Sequence, residues 1–359
     1  MNEKEQISLK KDEIQNKAVV LSESHPSLLL SFATGVGKSL AAIKIIERNP
    51  EERWYILCKQ TDHIDNWIKE FTKHEKEHLL FNVEIFCYDS LHKYVGTKAN
   101  LVLDEGHAIT ELRLDLIKQI KSDKVVILSA TVDIEKKMLL KEIKGNLREF
   151  HISISDAIKQ GLLPPPKIYV VDIFLDEAQQ KQYNKITASV DFFRQKHFQL
   201  QQEWTEYKWL GTALKRKVML SNFKTQIAKQ LLEKFRNKRL VCFTGSVDQC
   251  NLLGGENVVH SKTKNKKANQ KLIDNFNNKK IDKLFAVNML RESMNLTDID
   301  LGIIIQLDNQ KLSFIQMLGR VFRADLPECY VLVVRNTQDE VYLKTVLEGF
   351  DTKYIYKYQ

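Results

Sequence analysis

Cysteines are few and follow no pattern. Cys58, Cys87, Cys242, Cys250 and Cys329 are scattered, odd in number and include no C-x-x-C pair. That argues against a disulfide framework and against a cysteine-ligated zinc, and for a reducing compartment. No uninterrupted apolar stretch is long enough to span a bilayer. The opening "MNEKEQISLKKDE" is polar and unlike a signal peptide. A cytoplasmic protein with no membrane partner is the expectation. Internal repeats and low-complexity tracts are also missing. What is there is 359 residues, 43% of them apolar, enough for two domains with real cores. The net charge of +9 is consistent with a polyanionic partner without requiring one.

Strand-like and helix-like runs alternate in both halves. The first half holds "LLLSFA", "RWYILCK", "VEIFCY", "NLVLDE" and "KVVILSAT"; the second holds "RLVCFT", "NVVHS", "KLFAVN", "LGIIIQLD" and "CYVLVV". Helical stretches such as "DHIDNWIKEFTKH" and "NQKLIDNFNNK" separate them. Alternation of this kind argues for α/β architecture twice over, each domain a parallel sheet flanked by helices. The expected domains are 1–150 and 151–359. Three of the six prolines stand together in "LLPPPK", which marks a connection nearby. From Tyr183 to Val218 apolar residues recur at steps of three or four, interrupted by one glycine, Gly211. This spacing predicts one long helix or a helical hairpin over about 177–222, an arm that packs on its own domain or touches a partner.

"SFATGVGKSL" runs from Ser31 to Leu40, between an apolar strand and a run of good helix formers. Thr34, Gly35, Val36, Gly37, Lys38 and Ser39 form the loop. Glycines let backbone N–H groups turn toward an anion, and the helix N-terminus adds partial positive charge. Lys38 would reach the β- and γ-phosphates of a nucleotide and Ser39 would ligate Mg²⁺. Alone, the same stretch also reads as a tight turn with a surface lysine. "NLVLDEGH" delivers Asp104 and Glu105 to the end of a second strand, on the edge that a parallel sheet shares with the loop. Asp104 would hold Mg²⁺ through water and Glu105 would orient and deprotonate an attacking water. In "ILSAT", Ser129 and Thr131 are candidates for linking hydrolysis to a cleft. In "QMLGRVFRA", Gln316, Arg320 and Arg323 stand on a predicted helix, where the two arginines share a face. Facing a phosphate loop from another domain, such arginines act as arginine fingers.

In order and separation, "ATGVGKS", "DEGH", "LSAT" and "QMLGRVFR" resemble motifs I, II, III and VI of superfamily 2 helicases and translocases. "ILCKQTDHIDNWIKEF" is similar to motif Ia with its helix, "FCYDSL" to the next nucleic-acid-facing segment, "VCFTGSVDQC" to motif IV and "VNMLRESMNL" to motif V. Gln15 resembles the upstream glutamine that reads adenine. The resemblance implies two tandem RecA-like domains, with the helical arm opening the second. It implies ATP and Mg²⁺ as cofactors and Gln316, Arg320 and Arg323 completing the site. His107, Ser129, Thr131 and Glu292 would couple hydrolysis to movement, and Lys59, Ser90, Thr244 and Asn288 would meet nucleic acid. Within the superfamily "DEGH" looks closest to DNA-directed members, including phage branch-migration helicases and DEAH-like repair helicases. DEAD-box RNA proteins have Asp where His107 stands.

Phe32 departs from the pattern, standing where the family has a small residue. Ser293 replaces a frequent glycine, and the glutamine that follows the last arginine in Snf2 proteins is missing. Between Leu296 and Gln316 there is little room for a strand-separating hairpin. The expectation is a monomeric ATP-dependent motor on duplex or branched DNA with little sequence specificity. The alternatives are an RNA remodeller of the same superfamily and the motor subunit of a larger restriction or repair assembly.

Overall fold

In the computed structural model the chain folds as two compact units, Met1–Leu163 and Pro164–Gln359. The structure describes residues 3–130, 132–260, 266–287, 296–308, 314, 317–319, 321 and 327–358. No helix among them is long and apolar enough to cross a membrane.

The first unit is built on β1 (Ser27–Phe32), β2 (Trp54–Cys58), β3 (Val83–Cys87), β4 (Asn100–Leu103), β5 (Val125–Ser129) and β6 (Arg148–Ile152). Their order in the sheet is β3-β2-β4-β5-β1-β6. All pairings are parallel. β1, β2, β4 and β5 are buried along their whole length, which is why they read as continuous apolar runs. β6 pairs with β1 from Leu28↔Arg148 to Phe32↔Ile152. It carries the first unit past residue 150, and the division falls at the start of the Pro164–Pro166 run. The helices are α1 (Glu3–Ser24), α2 (Lys38–Glu47), α3 (Thr61–Lys73), α4 (Glu111–Lys118), α5 (Ile134–Lys144) and α6 (Ile154–Lys159). Because every strand runs the same way, the loops after β1, β4 and β5 emerge at one edge. β5 lies between the other two.

The second unit holds β7 (Lys167–Ile173), β8 (Leu240–Phe243), β9 (Val258–His260), β10 (Lys283–Val287), β11 (Leu301–Ile304), β12 (Glu328–Val334) and β13 (Ile355–Tyr358). The order is β13-β7-β12-β11-β8-β10-β9, again with parallel pairings throughout. The expected arm is a hairpin of α7 (Glu177–Leu200) and α8 (Glu203–Lys234). Asp176 and Gln179 form a capping box at its start. The chain reverses at Gln201, whose φ of 48° lies in the left-handed region. The apolar stripe therefore divides. Tyr183 and Val190 of α7 and Leu220, Ala228 and Leu231 of α8 are buried, whereas Trp204, Tyr207, Leu210 and Leu214 are exposed. The arm is rooted in its own unit and projects its far end into solvent. α9 (Val247–Gly254) and α10 (Lys266–Asn277) alternate with the strands that follow.

Candidate nucleotide site

The loop after β1 turns on two glycines with left-handed φ, 93° at Gly35 and 102° at Gly37. A side chain at either would be strained, and a Cβ at Gly37 would also come 2.3 Å from Gln15 Nε2 and displace that amide. Gln15 is a buried residue of α1, and its amide donates to the Val36 carbonyl at 3.4 Å. α1 thus lies against the loop that "TGVGKS" forms, and the upstream glutamine reaches it directly. The Lys44 ammonium of α2 binds Asp12 and Asn16 of α1, holding the two helices together. Gly37 caps the N-terminus of α2, so Lys38 and Ser39 open the helix where its dipole favours anions. Lys38 Nζ donates to the Phe32 carbonyl at 3.0 Å. Phe32 itself is buried, its ring edge-on to Phe150 of β6 at 5.0 Å. The departure from a small residue at this position fills core volume.

Asp104 and Glu105 follow β4 at the same edge. The Asp104 N–H donates to the Leu57 carbonyl, and the buried Tyr88 hydroxyl donates to the Asp104 carbonyl at 2.8 Å. Asp104 Oδ1 accepts from the Glu105 N–H at 3.0 Å. Its Oδ2 accepts from Trp67 Nε1 at 3.0 Å, with His63 Nδ1 at 3.9 Å. Glu105 sits at φ 52°, left-handed for a residue with a side chain, a conformation that costs on the order of 1–3 kcal/mol and is concentrated at functional sites. Gly106 follows because a Cβ there would lie 2.5 Å from Ile127 Cγ2 of β5. His107 Nδ1 then lies 3.2 Å from Glu105 Oε2. His63, Trp67, Tyr88 and Gly106 lie inside the segments "ILCKQTDHIDNWIKEF", "FCYDSL" and "DEGH", yet nothing in those segments singles them out. The one available signal was the i, i+4 spacing of His63, Trp67 and Phe71 on α3.

The two carboxyls are driven apart in acidity. Burial, with the Glu105 charge beside it, pushes Asp104 up to about 7 against the pull of the Trp67 hydrogen bond and of Lys38. Burial would raise Glu105 too, but the His107 ring and the Lys38 charge outweigh it and hold Glu105 below its ordinary value. One carboxyl is kept ionised and the other keeps its proton up to about 7. Lys38 acts on both carboxyls, so the loop and the acidic pair form one electrostatic site.

A hydroxyl at Ser39 and a carboxylate at Asp104 are hard oxygen donors of the kind Mg²⁺ takes when it shares its shell with phosphates and water. Among the described residues no group of three or more His, Cys, Asp or Glu side chains would hold a metal alone. The half-buried carboxyls and the loop glycines fit that pairing of Mg²⁺ with phosphates.

Of the other expected residues, Thr34 is half-buried in the loop and Ser129 is fully buried at the end of β5. Lys59 follows β2 and Ser90 lies in the 3₁₀ turn Tyr88–Lys93, both half-buried. Thr244 follows β8 and is buried, its hydroxyl 3.3 Å from the Ala286 carbonyl it donates to. Thr131, Asn288, Glu292, Gln316, Arg320 and Arg323 lie outside the described residues.

No curated protein sequence matches the chain. Solved structures resemble it across both units. The Pyrococcus furiosus Hef helicase domain does so with a TM-score of 0.57 at 12% identity, over 93% of this chain and 96% of that one. S. cerevisiae Dbp5 bound to RNA and ADP BeF3 does so with a TM-score of 0.66 at 14% identity, over 96% and 89%. These likenesses establish the fold, two parallel-sheet domains of the RecA-like helicase type. In sequence, residues 223–325 match the Helicase conserved C-terminal domain, and fold and match together support a superfamily 2 helicase.

Proposed function

We propose that this chain is an ATP-dependent motor that moves on DNA, duplex or branched, with little sequence preference. The observation that carries the reading is the convergence of Lys38 with Asp104 and Glu105 at one sheet edge, in a chain whose second unit matches a helicase domain. In this reading the loop N–H groups, Lys38 and Ser39 bind the phosphates, and Gln15 lies where it can sense the base. Bound Mg²⁺ would supply charge neutralisation to the transferred phosphoryl group. Glu105, ionised and aimed by its backbone, orients water and takes its proton. His107 beside Glu105 passes the state of the site onward. By the motif they match, Arg320 and Arg323 would supply positive charge, an arginine finger being worth about 10³–10⁵ in rate, and Gln316 a neutral hydrogen-bonding amide. His107, where RNA-directed DEAD-box proteins have Asp, favours DNA.

The test is steady-state ATP hydrolysis without polymer and with single-stranded DNA, blunt duplex, a four-way junction and RNA. Stimulation by duplex or junction, lost in Lys38→Ala, is the expected result. Stimulation by RNA alone moves the chain to the RNA remodellers. No hydrolysis under any condition overturns the motor. Strong unwinding of a long blunt duplex would overturn the preference for translocation and branch remodelling.

A further inference from the structure

Asp104 is held by two donors of different origin. The Glu105 N–H on Oδ1 is local and comes with the turn itself. The Trp67 indole on Oδ2 comes from α3, thirty-seven residues earlier in the chain. Trp67 is buried, and its ring packs against Phe71 with centroids 6.3 Å apart. A phenyl ring would satisfy that packing. What an indole adds is an N–H that needs an acceptor once buried, and here the acceptor is a carboxyl oxygen of Asp104. His63, one turn earlier on the same face of α3, stands 3.9 Å from the same oxygen. The Tyr88 hydroxyl fixes the main chain beneath. A carboxylate has about four acceptor positions, so Oδ2 can take the indole and still face a hydrated ion.

From this geometry we infer that Trp67 is the positioning residue for Asp104, locking the carboxylate in the orientation that receives a nucleotide-bound divalent cation. The inference rests on the proposed role of Asp104. It has a mechanical corollary. α3 begins just after Lys59, in the segment proposed to meet the polymer. A rigid helix carrying Trp67 at its second turn transmits any shift of that segment to Asp104. Trp67 is then the joint between polymer contact and the metal carboxylate.

The experiment measures the affinity of a fluorescent ADP with Mg²⁺ and with EDTA, alongside the Mg²⁺ concentration that half-saturates ATP hydrolysis. Trp67→Phe keeps the ring and removes the donor. Loss of a group that orients a metal ligand typically costs 10–100-fold in metal affinity. For an ion held through water we expect about tenfold loss of the Mg²⁺-induced tightening, with the EDTA affinity unchanged and the half-saturating Mg²⁺ raised. Phe71→Leu, which loosens the same packing without touching Asp104, should lower the melting temperature and leave the Mg²⁺ ratio alone. If Trp67→Phe does not fold, Trp67 is replaced by its benzothienyl analogue, in which sulfur stands for the indole N–H. An unchanged Mg²⁺ ratio in that variant overturns the inference, as does an equal loss of affinity in Mg²⁺ and EDTA. A parent protein that shows no Mg²⁺-dependent tightening refutes the nucleotide-site reading instead, so the two failures are distinguishable.

Discussion

Each unit sets a carboxylate beside a second charged group, and the two are held in opposite ways. In the first unit Asp104 stands beside another carboxylate, Glu105, and its proton is held up to about 7. In the second, Asp339 stands beside an ammonium. Lys224 Nζ of α8 lies 2.6 Å from Asp339 Oδ2, and both side chains are 0% exposed. The same oxygen accepts the Val334 N–H at 3.1 Å, tying the root of the arm to β12 and to the helix Gln338–Leu347. Burial pushes the Lys224 ammonium down, and the Asp339 charge only partly restores it. A like-charge pair costs stability and is kept where chemistry needs it. An opposite-charge pair, once buried, penalises the loss of either member.

The largest effect should come from breaking the second pair. Lys224→Met leaves a bare carboxylate in the core, a loss of about 3–5 kcal/mol where such pairs are broken on one side. Thermal or urea unfolding reads this, and adding Asp339→Leu should recover most of it. A single variant as stable as the parent would show that the arm does not depend on this anchor.

Asp104→Asn should act with the opposite sign and a smaller size. Asp104 is raised from 3.8 to about 7, so between those values the folded unit holds a proton that the unfolded chain has released. Stability from this group is present at low pH and lost as pH rises through the window. Glu105, held below its ordinary value, works the other way, and its contribution is lost as pH falls. In EDTA, Asp104→Asn should therefore melt higher than the parent by a margin that grows from pH 4 to pH 7, while hydrolysis is abolished. A margin independent of pH would mean that Asp104 is ionised throughout. Within the same site, Gly106→Ala must displace Ile127 or the turn, and overpacking of this kind costs about 1–3 kcal/mol. Its distinguishing mark is a fall in hydrolysis larger than the loss of stability explains, because Glu105 moves with the turn.

These contrasts were unevenly legible in the sequence. The central strands announce themselves because both their faces are buried, and the phosphate loop and acidic pair follow them in register. β6, "REFHI", and β13, "IYKY", lie at sheet edges and are partly exposed, so neither shows an apolar run. β7 follows the prolines directly and reads as connection. The arm's reversal at Gln201 has no glycine or proline to mark it. Trp67 looked like one more apolar position of an amphipathic helix, since its partner is thirty-seven residues away. Nothing around Lys224 marks its partner Asp339 either. Side chains whose role depends on a distant partner leave no local pattern.

The smallest effects belong to the thiols, and they separate the two units within one sample. Cys58 of β2 and Cys242 and Cys329 of the second sheet are fully buried, and burial pushes each of them well above the ordinary thiol range. Thiolate is the reactive form, so alkylation of these three at pH 8 should require local or global opening. Half-buried Cys87 is raised less and should label first. Mass spectrometry of iodoacetamide-treated protein across a urea series then gives one midpoint for Cys58 and another for Cys242 and Cys329. In Lys224→Met the second midpoint should fall and the first should stay, because the broken pair lies wholly in the second unit. Midpoints that fall together would mean that the two units unfold as one, and that the loss of the Lys224–Asp339 pair is shared across the whole chain.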